Sequence, residues 1–139
     1  MNLNQLIKPL SEIVSTAGKA ILEIYNSDFL ITTKDDQSPL TKADLRSHHI
    51  IVDGLKDITP SIPIISEETS ENKDDAQLKN FWLVDPIDGT YDYINNLEEF
   101  TINAGLIINN KPAAGLIYAP AKKRMFYSFG EGSAFELTN

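Results

Sequence analysis

The apolar residues Leu3, Leu6, Ile7, Leu10, Ile13, Val14, Ala17, Ile21, Leu22 and Tyr25 recur at spacings of three and four. That period predicts an amphipathic helix from about Asn4 to about Tyr25 with one broad apolar face. Gly18 lies inside it, a small propensity cost that close packing can offset. Ala43, Ile50, Ile51, Leu55 and Ile58 give a second helix from about Lys42 to Lys56, with Thr41 and Asp44 as a start resembling a capping box. Between the two, Thr33 to Pro39 is polar and reads as a mobile loop. After Pro60 the period shortens. Ile62 to Ile65 is a short β-prone run leading into Ser66-Glu67-Glu68, and Thr69 to Lys79 reads as a polar surface excursion. Strand patterns then follow at Phe81–Val84, Phe100–Ile108 and Ala113–Tyr118. Arg124–Phe129 and Ser133–Leu137 read as a hairpin about Gly130-Glu131-Gly132. The expected fold is α+β: a layered α/β sandwich half, two N-terminal helices packed on a mostly antiparallel sheet. It would form one domain over residues 1–139.

Composition narrows the partners. The chain has 139 residues, 42% of them hydrophobic, enough for a packed core. Its net charge of −8 argues against a nucleic-acid or anionic-membrane partner. Phosphorylated small molecules stay possible, because a cation can supply positive charge locally. There are no cysteines, which excludes disulfides, thiolate metal sites and cysteine nucleophiles. No basic-then-apolar leader opens the chain, and no apolar run approaches the ~18 residues needed to cross a bilayer. The expectation is a soluble, cytoplasmic protein without membrane insertion.

The stretch Trp82-Leu83-Val84-Asp85-Pro86-Ile87-Asp88-Gly89-Thr90 carries the chemistry. An apolar strand delivers two aspartates to its end, with a stiffening proline between them and a glycine turn after them. Glu67 and Glu68 end another strand, and Asp44 opens a helix. Strand ends and helix starts on one edge of an α+β layer can converge. Oxygen-only ligands favour a hard cation, Mg²⁺ before Mn²⁺ or Ca²⁺. Gly89 and Thr90 could expose backbone N–H groups at a helix start, a cradle for a phosphate. Taken alone, Asp88-Gly89-Thr90 is equally a turn and cap, and Glu67-Glu68 a solvated pair. Their combination in this order makes metal-assisted phosphate-ester hydrolysis the better reading.

Ser66-Glu67-Glu68 followed by Asp85-Pro86-Ile87-Asp88-Gly89-Thr90 resembles the signature of the Mg²⁺-dependent, lithium-sensitive phosphatase superfamily. Inositol monophosphatase, fructose-1,6-bisphosphatase and the 3′(2′),5′-bisphosphate nucleotidases belong to it. Ser38 to Asp44 resembles the upstream segment of that superfamily. Glu99-Phe100-Thr101-Ile102-Asn103 and Tyr118-Ala119-Pro120 resemble its CysQ-type nucleotidase branch more than the inositol phosphatases. The resemblance implies that Glu67, Asp85 and the Ile87 carbonyl bind a first metal, with Asp88 bridging toward a second. It implies that Asp44 and Thr90 orient and activate the attacking water, with Asp44 near a third, weaker metal. Gly89 and Thr90 would receive the substrate phosphate, with Glu67 and Asp88 beside it. Glu68 would orient Glu67 or a water, or would only be solvated. Tyr91 stands where the nucleotidase branch usually has a lysine, which leaves the substrate class open.

The superfamily's members are about twice this length. Their second half would carry a further aspartate that completes the second metal site, so the expected chain is an N-terminal half. Two hypotheses follow. One is a 3′(2′),5′-bisphosphate nucleotidase, with an inositol monophosphatase-type enzyme as its variant, needing a C-terminal half or self-association. The other is a metal- or phosphate-binding module without turnover. His48 and His49 are expected to be structural or solvated, Trp82 to pack in the core, and Lys122, Lys123 and Arg124 to form a solvated turn.

Overall fold

The computed structural model describes residues 3–25, 39–66, 79–95, 97–130 and 133–137. The first helix, α1 (Asn4–Tyr25), has the bounds that the hydrophobic period predicts. The second, α2 (Pro39–Ile58), begins earlier than expected. Proline suits a first helical turn, where its missing N–H costs nothing and its φ is preset. Thr41 is therefore inside the helix rather than capping it. Of the expected loop Thr33 to Pro39 and the expected excursion Thr69 to Lys79, residues 33–38 and 69–78 lie outside the described residues, and Pro39 belongs to α2.

Six strands form one sheet in sequential order. They are β1 (Ile64–Ser66), β2 (Phe81–Asp88), β3 (Thr101–Ile108), β4 (Lys111–Ala119), β5 (Arg124–Ser128) and β6 (Ala134–Leu137). β1 runs parallel to β2; every later neighbour pair is antiparallel. The expected α+β architecture, helices on a mostly antiparallel sheet, is what the chain forms. β2 runs past the apolar stretch Phe81–Val84 and carries Asp85 and Asp88 to its end, and a short helix, α3 (Thr90–Ile94), begins where the sequence offers a helix start at Gly89 and Thr90.

Both long helices pack on one face of the sheet. Leu10, Val14, Ala17 and Ile21 of α1 and Ile51 and Leu55 of α2 share a core with Trp82, Val84, Ile102, Leu106 and Leu116. Their burial is the main term favouring the fold, about 1.5–3 kcal/mol for each large aliphatic side chain. Trp82 is fully buried as expected, and its indole N–H donates to Thr59 Oγ1 at 2.9 Å. Gly18 lets α1 lie directly on β4: a Cβ there would come within 2.5 Å of the Tyr118 ring.

The opposite face of the sheet has no layer upon it among the described residues. Leu83, Ile117 and Phe126 on that face are between 38% and 49% exposed, and Gly105 faces Gly115 between them. No described helix is long and apolar enough to cross a membrane.

Candidate metal and phosphate site

The acidic edge is built by a register shift. Along β2, Trp82 and Val84 point into the helix-covered core, while Leu83 and Asp85 face the open side. Strict alternation would then send Asp88 to the face opposite Asp85, because their separation is odd. The ladder shows otherwise. Asp85 pairs with Asn103 and Asp88 with Thr101, so β2 spends one residue more than β3 between these pairs. This is a β-bulge at Pro86 and Ile87. Both bulge residues are buried, and Asp88 emerges exposed on the side of Asp85. Proline is tolerated in the bulge because no ladder N–H is needed there.

The bulge is held from both sides. From the core, buried Ser47 of α2 donates to the Pro86 carbonyl at 3.0 Å. From the open face, Asn103 Nδ2 donates to Asp88 Oδ2 at 3.2 Å. Thr101 Oγ1 donates to Asn103 Oδ1 at 3.1 Å, which orients that amide with its NH₂ toward the carboxylate. A shallow groove on the open face brings Ser66, Leu83, Asp85, Asn103 and Gly105 together.

The turn after Asp88 needs glycine. Gly89 has φ +86°, and a Cβ there would approach Phe100 Cα to 3.3 Å. Its carbonyl accepts the Tyr93 N–H at 3.1 Å, closing the first turn of α3. Thr90 therefore stands exposed as the first residue of α3.

Asp44 sits half-buried on α2, one helical turn before Ser47 and His48, and is engaged within the fold. His48 is buried, and its Nδ1 shares a 3.0 Å hydrogen bond with Ser66 Oγ. That agrees with the structural role expected for it, whereas His49 is exposed. Glu67 and Glu68 lie outside the described residues, as does the side chain of Tyr91. Among the described residues, no three Asp, Glu or His side chains cluster closely enough to hold a metal. The described part of the expected site is thus Asp85, Ile87, Asp88, Gly89 and Thr90 on one strand–turn–helix unit, with Asp44 on the helix bonded to it. All its side-chain donors are oxygens, which fits a hard divalent cation and no softer one.

Sequence reasoning passed over Asn103, Ser47 and Ser66 as site residues. Asn103 was legible in part, since it alternates with buried Ile102 and Ala104. Ser66 opens the Ser66-Glu67-Glu68 motif but has no role legible there, and Ser47 carries no signal, because an isolated serine has none.

Lys122 of the β4–β5 turn forms an ion pair with Glu99, which precedes β3, and Arg124 pairs with Glu136 across the last hairpin. Hydrogen bonding to Arg124 holds the Glu136 carboxyl below its usual range, and the same contact raises Arg124. Burial raises the Tyr118 phenol. Lys122, Lys123 and Arg124 are all exposed, so the basic turn is solvated as expected.

The sequence matches the inositol monophosphatase family over residues 2–136. It is 39% identical over 134 residues to the 3′(2′),5′-bisphosphate nucleotidase CysQ of Escherichia coli O157:H7, covering 94% of this chain and 54% of that one. The corresponding CysQ of Haemophilus influenzae is 29% identical over 139 residues. Among solved structures, CysQ from Bacteroides thetaiotaomicron, a bacterial member of the inositol monophosphatase family, superposes with a TM-score of 0.82 at 34% identity. That match covers 95% of this chain and 48% of the other. Inositol monophosphatase from Anabaena superposes with a TM-score of 0.79 at 25% identity. The chain spans about half the length of the curated relatives it matches.

Proposed function

Because the chain belongs to the inositol monophosphatase family, we propose that its acidic edge is part of a divalent-metal phosphatase site. The bulge carries this reading: it costs a ladder register and aligns two carboxylates on one solvent-facing side. A structural turn needs no such alignment. Asp85, Asp88, the Ile87 carbonyl and Glu67 would hold the cation, with Mg²⁺ favoured by the all-oxygen donor set. A cation bound there would polarise the phosphate and lower the pKa of a coordinated water.

The protein's own groups supply the rest. Asp44 and Thr90 are assigned to orienting and deprotonating the water that attacks phosphorus, with Glu67 assisting. Gly89 and Thr90 would receive the phosphate, with Asp88 and Glu67 at its edge. Asn103 keeps Asp88 in one rotamer and leaves its other oxygen directed away from the amide. The residues of this edge would thus place water and ester in line before reaction.

The substrate class we assign is a nucleoside 3′(2′),5′-bisphosphate, hydrolysed to the nucleoside 5′-monophosphate and phosphate. Support comes from the 39% identity to an enzyme of that name. The same phosphatase chemistry would act on an inositol monophosphate if the leaving-group surface differed. The protein with both halves of the family's length is proposed as the working enzyme, in the cytoplasm. The open sheet face bearing Leu83, Ile117 and Phe126 adjoins Asp85 and Asn103. A second half, or a second copy of this chain, would bury that face and close the site at the same time.

Calorimetric titration of the 139-residue chain with Mg²⁺ and Mn²⁺ tests the site. Binding that weakens strongly in Asp85→Asn and Asp88→Asn is expected, with little turnover by this chain alone. Equal metal binding by the wild type and Asp88→Asn would falsify the assignment. Adding the relatives' second half and comparing adenosine 3′,5′-bisphosphate with inositol monophosphate tests the substrate class. Preferred hydrolysis of the inositol ester would reject the nucleotidase assignment.

A further inference from the structure

Two buried hydrogen bonds join α2 to the strands of the acidic edge. Ser47, with no solvent exposure, donates to the Pro86 carbonyl at 3.0 Å. His48, the next residue, shares its 3.0 Å bond with Ser66, which is 1% exposed at the end of β1. Pro86 belongs to the bulge that aligns Asp85 with Asp88, and Ser66 is the register partner of Val84, the neighbour of Asp85. Asp44 precedes Ser47 and His48 by three and four residues, so the three share one stripe of the helix.

These contacts are directional, whereas Ala43, Ile51 and Leu55 of α2 meet the sheet through apolar packing. Apolar packing is non-directional and tolerates small slides and repacking. A hydrogen bond is directional, and two at successive helix residues to different strands restrict both rotation and sliding. They also carry a cost. A buried hydroxyl and imidazole must be satisfied, whereas alanine and leucine would fill the same interface without that demand.

We propose that Ser47 and His48 are positioning residues. They set where the helical turn bearing Asp44 stands relative to the Asp85–Asp88 pair. The inference rests on reading that pair as a divalent-metal site, and it adds two residues that touch neither metal nor substrate.

Mn²⁺ calorimetry on the 139-residue chain tests it, with thermal unfolding measured in parallel. Ser47→Ala and Ser66→Ala each remove one of the two bonds. Each is expected to weaken Mn²⁺ binding about tenfold at a temperature where the variant is fully folded. Ser47→Thr keeps the hydroxyl and should bind within about twofold of wild type, on the same reasoning. Thr59→Val removes the buried bond to Trp82, away from the edge. It should lower the unfolding temperature and leave Mn²⁺ affinity unchanged, an outcome a merely structural role would give all the variants. Wild-type affinity in Ser47→Ala and Ser66→Ala, with binding lost in Asp88→Asn, refutes the positioning role and leaves the metal site standing. Absence of Mn²⁺ binding by the wild type refutes both. If Ser47→Ala does not fold, Ser66→Ala decides, since it breaks the companion bond from the strand side.

Discussion

Asn103 donates a hydrogen bond to Asp88 across two strands whose register has slipped by one residue, although its register partner is Asp85. One amide thus lies beside both carboxylates of the edge. Its own orientation is fixed by Thr101. Replacing Asn103 with leucine is expected to free the Asp88 rotamer and weaken divalent-metal binding about tenfold. Thr101→Val acts one bond further out and should cost less. Calorimetric titration of both variants checks the order, and a larger loss in Thr101→Val than in Asn103→Leu would reject the relay.

Gly18 should resist replacement. Alanine would gain about 1 kcal/mol of helix propensity. Its Cβ would also meet the Tyr118 ring at 2.5 Å and Pro120 Cβ at 3.2 Å. Overpacking of that kind costs about 1–3 kcal/mol, so Gly18→Ala should be a net loss. Urea unfolding followed through Trp82, the sole tryptophan, measures it. A stabilised variant would show that α1 can lift from β4 without penalty.

The uncovered sheet face makes a prediction about association. Ile117 is 49% exposed and Leu83 46%. Changing both to threonine preserves β-propensity and removes apolar surface. Concentration-dependent association of the 139-residue chain should fall, while each change moves stability by no more than about 0.5 kcal/mol. Sedimentation velocity over a concentration series gives the answer. Unchanged association would place the contact elsewhere.

Acid should loosen the last hairpin. Hydrogen bonding from Arg124 lowers the Glu136 pKa in the folded chain. The ion pair therefore stabilises fully above the unfolded carboxylate value, and its contribution disappears as pH falls through the lower folded one. Both groups are solvent-exposed, so the effect is local and salt-sensitive. Amide protection in β6, taken relative to the intrinsic exchange rate at each pH, should fall across that acid window in the wild type. In Glu136→Gln it should already be low at neutral pH. A wild type and variant that exchange alike at neutral pH would remove the pair from the account.

Much of this molecule is written in local patterns. The apolar period placed α1 to the residue, because a helix of that length repeats its signal through six turns. Alternation placed β3 and the β5–β6 hairpin within a residue or two. The order of Asp85, Asp88, Gly89 and Thr90 named the candidate site, since carboxylates are costly to insert in an apolar strand without a use.

Tertiary structure decided what alternation could not. Read from sequence, the apolar run ends at Val84 with two aspartates after it; packing of Pro86 and Ile87 into the core is what keeps the strand going to Asp88. An odd separation should divide Asp85 from Asp88, and only pairing with β3 reveals the extra residue that reunites them. Ser47, Ser66 and Asn103 acquire their roles from partners 39, 18 and 15 residues away. A periodic pattern reports which face a residue takes, but a hydrogen bond between distant segments exists only once the chain has brought them together.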